Sequence, residues 1–454
     1  MTQLATPDAY AQAFDAVQRS CKSPTPVTDL RRHAFDRFST LGMPTTKLEQ
    51  WRFTNVSPIA NATFTPAQPA VLTTAEAASL VATGVGDGAP TIVFVNGRYE
   101  AALSSVSDLP DGIVVDSLAS VLASPSDADA VARHLGTGAD IESDGAAFTA
   151  LNTALFTDGA FVRVPANVVV DAPIQLLFVT MAPLHEEEAA PHRMTHPRVL
   201  IVAGRNSQVH VVERYSGSGD APYLTNTVTE VVGAANAVVD HYKIVRESGA
   251  AYHIGHMHLR VERDGKFSSH AITLDGNIVR NDVQALLEGE GGTCTLNGLY
   301  IADRKRLVDN HTTIHHTRPH CQSYELYKGI LDEEARAVFN GKIIVAIDAQ
   351  KTNARQTNKA LLLSEDAQIN TKPELEIFAD DVKCTHGATV GQLDADAMFY
   401  LRSRGLDLKQ ARSVLIHAFA NDLLNRISIE SIRAQLDDLL LAQIPGSGPI
   451  YEHG

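Results

Sequence analysis

The spacing of apolar and polar residues divides the chain into three stretches. Within residues 1–60, apolar residues such as Tyr10, Phe14 and Val17 recur at helical spacing, and the single tryptophan, Trp51, is expected to be a packing anchor. From residue 161 to about 389, short β-branched segments alternate apolar and polar side chains between Gly, Asn, Asp and Ser turns. After Gly391 helical spacing returns. The pattern predicts a mainly β protein with helices at both ends.

The central stretch has little helical periodicity, which excludes a βαβ fold and leaves a sandwich, a propeller or a β-solenoid. Apolar strand centres near Leu287, Leu307 and Tyr327 recur about every 20 residues. This spacing favours a right-handed parallel β-helix (a β-solenoid) with about 20 residues in each coil. We therefore predict an N-terminal helical domain with a linker at 1–90, a mixed region at 91–160, the β-helix core at 161–391 and a C-terminal helical domain at 392–454.

Two amphipathic helices are predicted after the β-helix. A second helix is expected after Ser428, which can cap its first turn. The first helix carries one apolar face, formed by Leu408, Ala411, Leu415, Ala418, Phe419 and Leu423. Such helices can cap the open end of a solenoid or dock a partner, and composition alone favours capping.

Composition and charge exclude several classes of function. The net charge of −15 disfavours binding to nucleic acid, because an acidic surface repels phosphate. No apolar run reaches the roughly 18 residues of a membrane span, and the first residues do not have the pattern of a secretory signal. Four scattered cysteines fit a reducing, cytoplasmic location. The chain has no GxxxxGK[ST] sequence, so we expect it to bind no nucleotide itself.

The densest group of metal-ligand residue types lies at 311–321. Zinc needs ligands that converge, but strand alternation directs His316 away from His311, and Pro319 interrupts the strand. A polar ladder between stacked coils is therefore favoured over a metal site. The group consists of His311, His315, His316, His320 and Cys321.

Two other sets of polar residues have simpler interpretations. His253, His256 and His258 are expected on a solvated strand face. The chain shows no convincing Ser/His/Asp arrangement. Carboxylate pairs such as Asp380 and Asp381 resemble those of sugar-cleaving β-helix enzymes, so a hydrolase or lyase stays open as an alternative.

Residues 373–405 combine ligand types with a change of architecture. Cys384 and His386 stand two residues apart, so on a strand they share one side. A thiol and an imidazole suit iron or zinc, although two ligands do not complete a site. The remaining ligands would come from neighbouring coils or another chain. The alternative is a buried thiol beside a core histidine.

The sequence of residues 340–419, which begins NGKIIVAIDAQKTNARQTNK, closely resembles the SufB/SufD family of iron–sulfur cluster assembly subunits. The segments KLEQWRFTN, FVNGRY, DNHT and YELYKGIL are similar to the same family, so the resemblance covers most of the chain. It implies a right-handed parallel β-helix between helical domains.

The resemblance also implies partners. Members of this family are non-catalytic scaffolds in which a SufD-type chain pairs with SufB, and each C-terminal helical domain binds one ABC-type ATPase, SufC. The resemblance therefore favours a role of the two C-terminal helices in docking a partner over a role in capping the solenoid, and it assigns ATP hydrolysis to SufC. The partner-binding residues expected here are Phe399, Tyr400, Arg402, Arg404, Leu415 and Phe419.

The family's functional histidine lies in the HGAT segment and corresponds to His386. The resemblance implies that His386 contacts iron or a transient Fe–S cluster shared with SufB, with Cys384 as a neighbour and Asp380 and Asp381 structural. SufB-like chains carry a cysteine one coil earlier, where this chain reads LLLSEDAQINTK, so it resembles the SufD branch. A homodimer of the isolated chain, and a structural protein without a cluster role, stay open.

Overall fold

The computed structural model describes residues 8–70, 88–107, 109–124, 128–181 and 191–443. This part of the chain is mainly β, with helices before and after a β-solenoid, which confirms the fold class predicted from the alternation. None of its helices is long and apolar enough to cross a membrane. In chain order the helices are α1 (Asp8–Ser20), α2 (Thr25–Leu41), α3 (Ser57–Ala60), α4 (Leu118–Ala123), α5 (Ala128–Ala132), α6 (Ala147–Leu155), α7 (Ala395–Ser403), α8 (Leu408–Leu424) and α9 (Glu430–Gln443), with 3₁₀ turns at Glu49–Trp51 and Ala101–Leu103.

Two sheets form the solenoid, and its strands are numbered in chain order. The first sheet, sheet A, contains β1 (Phe64–Pro66), β4 (Val114–Ser117), β5 (Gly159–Val164), β7 (His192–Thr195), β8 (Arg198–Ala203), β10 (Tyr223–Gly233), β12 (Tyr252–Val261), β14 (Ile278–Leu287), β16 (Leu307–His316), β18 (Arg336–Val345) and β20 (Gln368–Ile377). The second, sheet B, contains β2 (Thr91–Val95), β3 (Arg98–Tyr99), β6 (Ile174–Met181), β9 (Gln208–Ser218), β11 (Val238–Arg246), β13 (Lys266–Asp275), β15 (Thr293–Ala302), β17 (Gln322–Leu331), β19 (Asn353–Leu362) and β21 (Lys383–Gly391).

The coils are longer than the sequence predicted. Gln208 pairs with Val238, and Val238 with Lys266, so equivalent positions are 30 and 28 residues apart. Each coil holds one strand of each sheet and two turns, and the expectation of about 20 residues per coil is wrong. The expectation was based on apolar residues that belong to different sheets, since Leu287 lies in β14 of sheet A and Tyr327 in β17 of sheet B.

Polar turn residues permit these tight corners. Asn206, Asn236 and Asp264 have φ angles of 57°, 58° and 55°, a left-handed conformation that Asn and Asp tolerate better than most residues. The asparagine amides also stack from coil to coil, since Asn236 Nδ2 donates to Asn206 Oδ1 at 3.0 Å and Asn206 Nδ2 to Asn167 Oδ1 at 2.7 Å. The repeated turn chemistry therefore sets the strand length.

The main core lies between the two sheets, where every second side chain of each strand points inward. Phe178 stacks between Phe94 and Tyr215, with ring centroids 4.9 and 5.0 Å away. Full burial of one such side chain stabilises a fold by about 1.5–3 kcal/mol. The apolar side chains of the alternating pattern thus form the solenoid interior.

The N-terminal helices cover the outer face of sheet A. Trp51 is 2% exposed and its Nε1 donates to the carbonyl of Gly145 at 3.2 Å, which confirms it as a packing anchor. Trp51 belongs to a hydrophobic cluster that also contains Phe38 of α2 and Leu224 and Tyr252 of sheet A.

The C-terminal helices cover the outer face of sheet B. Their apolar side chains pack against outward residues of β9 to β19, so the helices do not cap the solenoid's end. The predicted face of α8 was partly wrong: Leu408 is 57% exposed and Ala418 is exposed, whereas Leu415 and Phe419 are half-buried. Because α8 is covered by both sheet B and α9, the buried stripe instead consists of Ala411, Ser413, Ile416, Ala420, Leu423 and Leu424.

Candidate functional site

The C-terminal end of the solenoid is open. Strands β20 and β21 each pair with a preceding strand on one side only, and they terminate their sheets in the described part of the chain. Their outer edges therefore present free backbone N–H and C=O groups. Such an edge can add a strand from another chain.

Apolar side chains surround this open end. Phe378, in the turn between β20 and β21, is 63% exposed, and Ile347, in the turn one coil earlier, is 68% exposed. Ile377 and Val390 are 40% and 46% exposed at the ends of the last two strands. Sequence reasoning missed this surface, because short apolar segments in a β region are expected to be buried. Exposed apolar groups gathered at a free sheet edge indicate a protein interface.

Cys384 and His386 lie on one side of β21, as strand alternation predicts. They pair with Ala354 and Gln356 of β19, whose side chains are buried in the solenoid interior. Cys384 is half-buried against Ala354, and burial raises the pKa of its thiol. His386 is exposed. The imidazole is therefore accessible to a partner, whereas partial burial favours the protonated form of the thiol.

Two buried polar residues lie behind His386 in the same row of side chains. Gln356 pairs with Glu325 of β17, and its Nε2 donates to Glu325 Oε2 at 2.8 Å. Burial raises the pKa of the Glu325 carboxyl to about 7. Sequence reasoning did not single out either residue, because they stand 30 or more positions away from His386 along the chain.

The nearby carboxylates have other partners. Glu376 forms an ion pair with Lys342 at 2.7 Å, and Asp381 forms one with Lys351. Asp380 is exposed in the turn before β21. Glu376 and Asp381 are therefore engaged in surface ion pairs with lysines.

The histidine-rich segment of β16 is dispersed. His311 Nε2 lies 3.0 Å from Asp309 Oδ1 on the outer face, whereas His316 points inward and lies 2.9 Å from Ser323 Oγ. His320 occupies a turn with φ of 60°. Across residues 8–70, 88–107, 109–124, 128–181 and 191–443, no three His, Cys, Asp or Glu side chains are arranged to hold a metal ion.

The three histidines of β12 are not on a solvated face, so that expectation was wrong. His253 is buried inside the solenoid, with Nδ1 2.8 Å from Glu247 Oε2. His256 and His258 face the N-terminal region, and burial lowers the pKa of His258 to about 4. The N-terminal region, including the segment before α6, covers a strand face that the local sequence leaves exposed.

The expected partner-binding residues have two different environments. On α7, Phe399 and Tyr400 are 74% and 57% exposed, and the exposed Arg404 places its guanidinium 5.1 Å from the Tyr400 ring. Arg402 is exposed on the same helix. Phe419 instead attaches α8 to the solenoid. The ammonium of Lys328 lies 4.9 Å from its ring and donates to its carbonyl at 2.8 Å.

Comparison with known proteins gives two family matches that together span most of the chain. The family described as "SUF system FeS cluster assembly, SufBD core domain" matches residues 185–419, and "SufBD protein N-terminal region" matches residues 5–176. An iron–sulfur cluster assembly SufBD family protein of Synechocystis is 36% identical over 89% of this chain and 88% of its own length. The iron–sulfur cluster assembly protein SufD of Escherichia coli is 31% identical over 89% and 90%. SufD of Bacillus subtilis is 28% identical over 96% and 97%.

Proposed function

The chain belongs to the SufBD family of iron–sulfur cluster assembly proteins, and from that premise we propose that it is the SufD-type scaffold subunit, which pairs with a SufB-like chain and binds a SufC-like ATPase. The single observation that carries this proposal is the open solenoid end, where the exposed His386 lies on the last strand of sheet B. The scaffold acts in the cytoplasm, catalyses no reaction itself and leaves ATP hydrolysis to the SufC-like subunit.

The geometry of that end supports the proposed pairing. A partner that adds its own strands to β20 and β21 satisfies the free backbone groups and covers Phe378 and Val390. His386 is then enclosed at the interface. A neutral imidazole is a suitable ligand for Fe(II), and thiolates from the partner supply what one histidine lacks. Iron and the nascent cluster are cargo shared between the two chains.

The second docking surface is α7. Its exposed aromatic side chains are Phe399 and Tyr400, and its basic side chains are Arg402 and, directly after its last residue, Arg404. None of them has a covering element in the described part of the chain. They form an anchor of the kind that protein interfaces use, with aromatic and Arg residues together. We assign the SufC-like ATPase to this surface.

The test is affinity purification of the chain under anaerobic conditions from cells that also express SufB-like and SufC-like proteins. Subunit stoichiometry and iron are measured on the same sample. We expect all three subunits, and we expect His386→Ala to keep the partners while lowering the iron content several-fold. His33→Ala, which changes an exposed histidine of α2, is the matched control. Unchanged iron in the His386→Ala complex would contradict the cluster role. A homodimer without either partner would favour a structural protein.

A further inference from the structure

The solenoid interior beneath His386 is polar, whereas most of the core between the sheets is apolar. Glu325 is 3% exposed, and Gln356 and Asn358 are each 1% exposed. All three side chains point inward from β17 and β19, the last two strands of sheet B before β21. A buried carboxyl and two buried amides so close to an open end need an explanation.

Three oxygen atoms of this group have no hydrogen-bond partner among the described residues: Glu325 Oε1, Gln356 Oε1 and Asn358 Oδ1. The amide nitrogens are already used, since Gln356 Nε2 donates to Glu325 and Asn358 Nδ2 donates to Thr371 Oγ1 at 3.1 Å. The free atoms of these three side chains are therefore all acceptors. On β16, Asn310 Nδ2 and Thr312 Oγ1 are unpaired as well, and the Thr312 hydroxyl lowers the pKa of Glu325 in part, against the larger effect of burial. Leaving a buried polar atom unpaired costs about 1–3 kcal/mol, and native proteins satisfy nearly all such atoms with protein or ordered water.

The group is aligned with His386. Strand pairing places Glu325, Gln356 and His386 at equivalent positions of β17, β19 and β21. Neighbouring strands are about 4.8 Å apart, so the carboxyl lies roughly 10 Å behind the imidazole. Gln356 stands between them, and Glu325 does not touch the proposed iron ligand.

We propose that Glu325, Gln356 and Asn358 line a hydrated chamber in which Glu325 accepts the protons released when iron and sulfur ligands assemble at His386. This inference rests on the proposed function. When a thiol or hydrosulfide binds Fe(II), its S–H bond is replaced by an S–Fe bond and a proton leaves. Water in the chamber carries that proton to Glu325 Oε1, where a carboxylate electron pair forms the new O–H bond. No oxidation or reduction takes place in this step.

Among the buried side chains at this position, Glu325 is the group whose pKa lies near neutral pH. Its titratable neighbours are Cys294 of β15 and Tyr327 of β17, and burial raises the pKa of both, so they stay neutral. His316 of β16 has its pKa lowered to about 4 by burial and is neutral as well. Cys384 and His386 of β21 lie on the open side. The other inward residues opposite are uncharged: Asn310, Thr312, Phe339, Gly341 and Thr371.

The first experiment uses the chain alone and does not depend on the proposed function. Infrared difference spectra of the wild-type chain should show a buried carboxylic acid band that titrates near pH 7 and exchanges hydrogen for deuterium within seconds, beside a second band from Glu247, whose pKa burial raises to about 8. Only the band near pH 7 should be missing in Glu325→Gln, which keeps the side-chain shape, and the Glu247 band should remain. If the wild-type chain shows no such band, or if the proton exchanges only on unfolding, a hydrated chamber is ruled out.

The second experiment measures iron uptake by the assembled complex between pH 6 and pH 8.5. Wild-type uptake should change several-fold through a step near pH 7, and Glu325→Gln should lose that step, whereas Glu325→Asp should keep it. The matched control is Glu213→Gln, which removes a fully buried interior carboxylate far from the open end. Identical pH profiles for wild type and Glu325→Gln would overturn the acceptor role. Iron retained by His386→Ala would instead contradict the proposed function.

Discussion

The guanidinium of Arg280 lies 3.8 Å from the centre of the Trp51 ring and joins the N-terminal region to the outer face of the solenoid. Arg280 also donates two hydrogen bonds to Asp282, at 2.8 and 2.9 Å, and one to Asp309 Oδ2 at 2.7 Å. The two carboxylates keep the buried guanidinium charged and raise its pKa, although burial by itself would lower it. The aromatic ring and the ion pairs together fix the docking of the N-terminal helices.

We therefore expect Trp51→Ala to lower the free energy of unfolding by about 3–5 kcal/mol, because a large cavity replaces the ring beside a buried cation. Denaturant unfolding of the purified chain measures this loss. Phe53→Ala is the control, since Phe53 is 45% exposed and its removal should change stability by no more than about 0.5 kcal/mol. Equal losses in both variants would show that the Trp51 contact has no special role.

Buried histidines make the free energy of unfolding depend on pH. Burial lowers the pKa of His270, which stacks on Tyr242, to about 4. The unfolded chain takes up a proton near pH 6.5 and the folded chain does not, so this residue's contribution is present above pH 6.5 and lost as the pH falls to 4. The stability difference between wild type and His270→Asn should shift by up to about 3 kcal/mol between those two pH values. Urea unfolding at both pH values measures it, and an equal stability difference at the two pH values would contradict this role of His270.

The open end can be tested without disturbing the core. Phe378→Asp places a charge on a residue that is 63% exposed, so the chain should fold normally while its affinity for a SufB-like partner falls at least tenfold. Val169→Asp is the matched control, because Val169 is 51% exposed in the turn after β5, at the opposite end of the solenoid. Titration calorimetry with the purified partner measures both. A similar loss for the two variants would contradict pairing through the open end.

The ATPase-docking surface should be probed with point variants on α7. Phe399→Ala together with Tyr400→Ala should weaken SufC-like binding at least tenfold and leave SufB-like pairing unchanged, because both side chains are exposed. Deleting residues after 395 is a poorer experiment, since it would also uncover the apolar outer face of sheet B and lead to aggregation. If the double variant still binds the SufC-like ATPase with unchanged affinity, the docking surface is not on α7.

The amino-acid sequence by itself determined the class of fold and the order of its parts. Alternating β-branched segments with polar turns predict strands that bury one side, and amphipathic spacing at both ends predicts helices that pack on those strands. The resemblance to the SufB/SufD family then distinguished a β-solenoid from a sandwich or a propeller. Cys384 and His386 could be assigned to one side of a strand for the same local reason.

Only the tertiary structure decided the coil length, the faces that the helices cover and the group behind His386. Strand pairing places Glu325 and Gln356, 31 residues apart, at hydrogen-bond distance, and no local pattern encodes that register. Whether a side chain is exposed likewise depends on which distant element lies over it. His258 was expected to be exposed and is largely buried, whereas Phe378 lies in an apolar segment and is exposed. Periodicity is a property of neighbouring residues, whereas burial and pairing depend on residues a whole coil away.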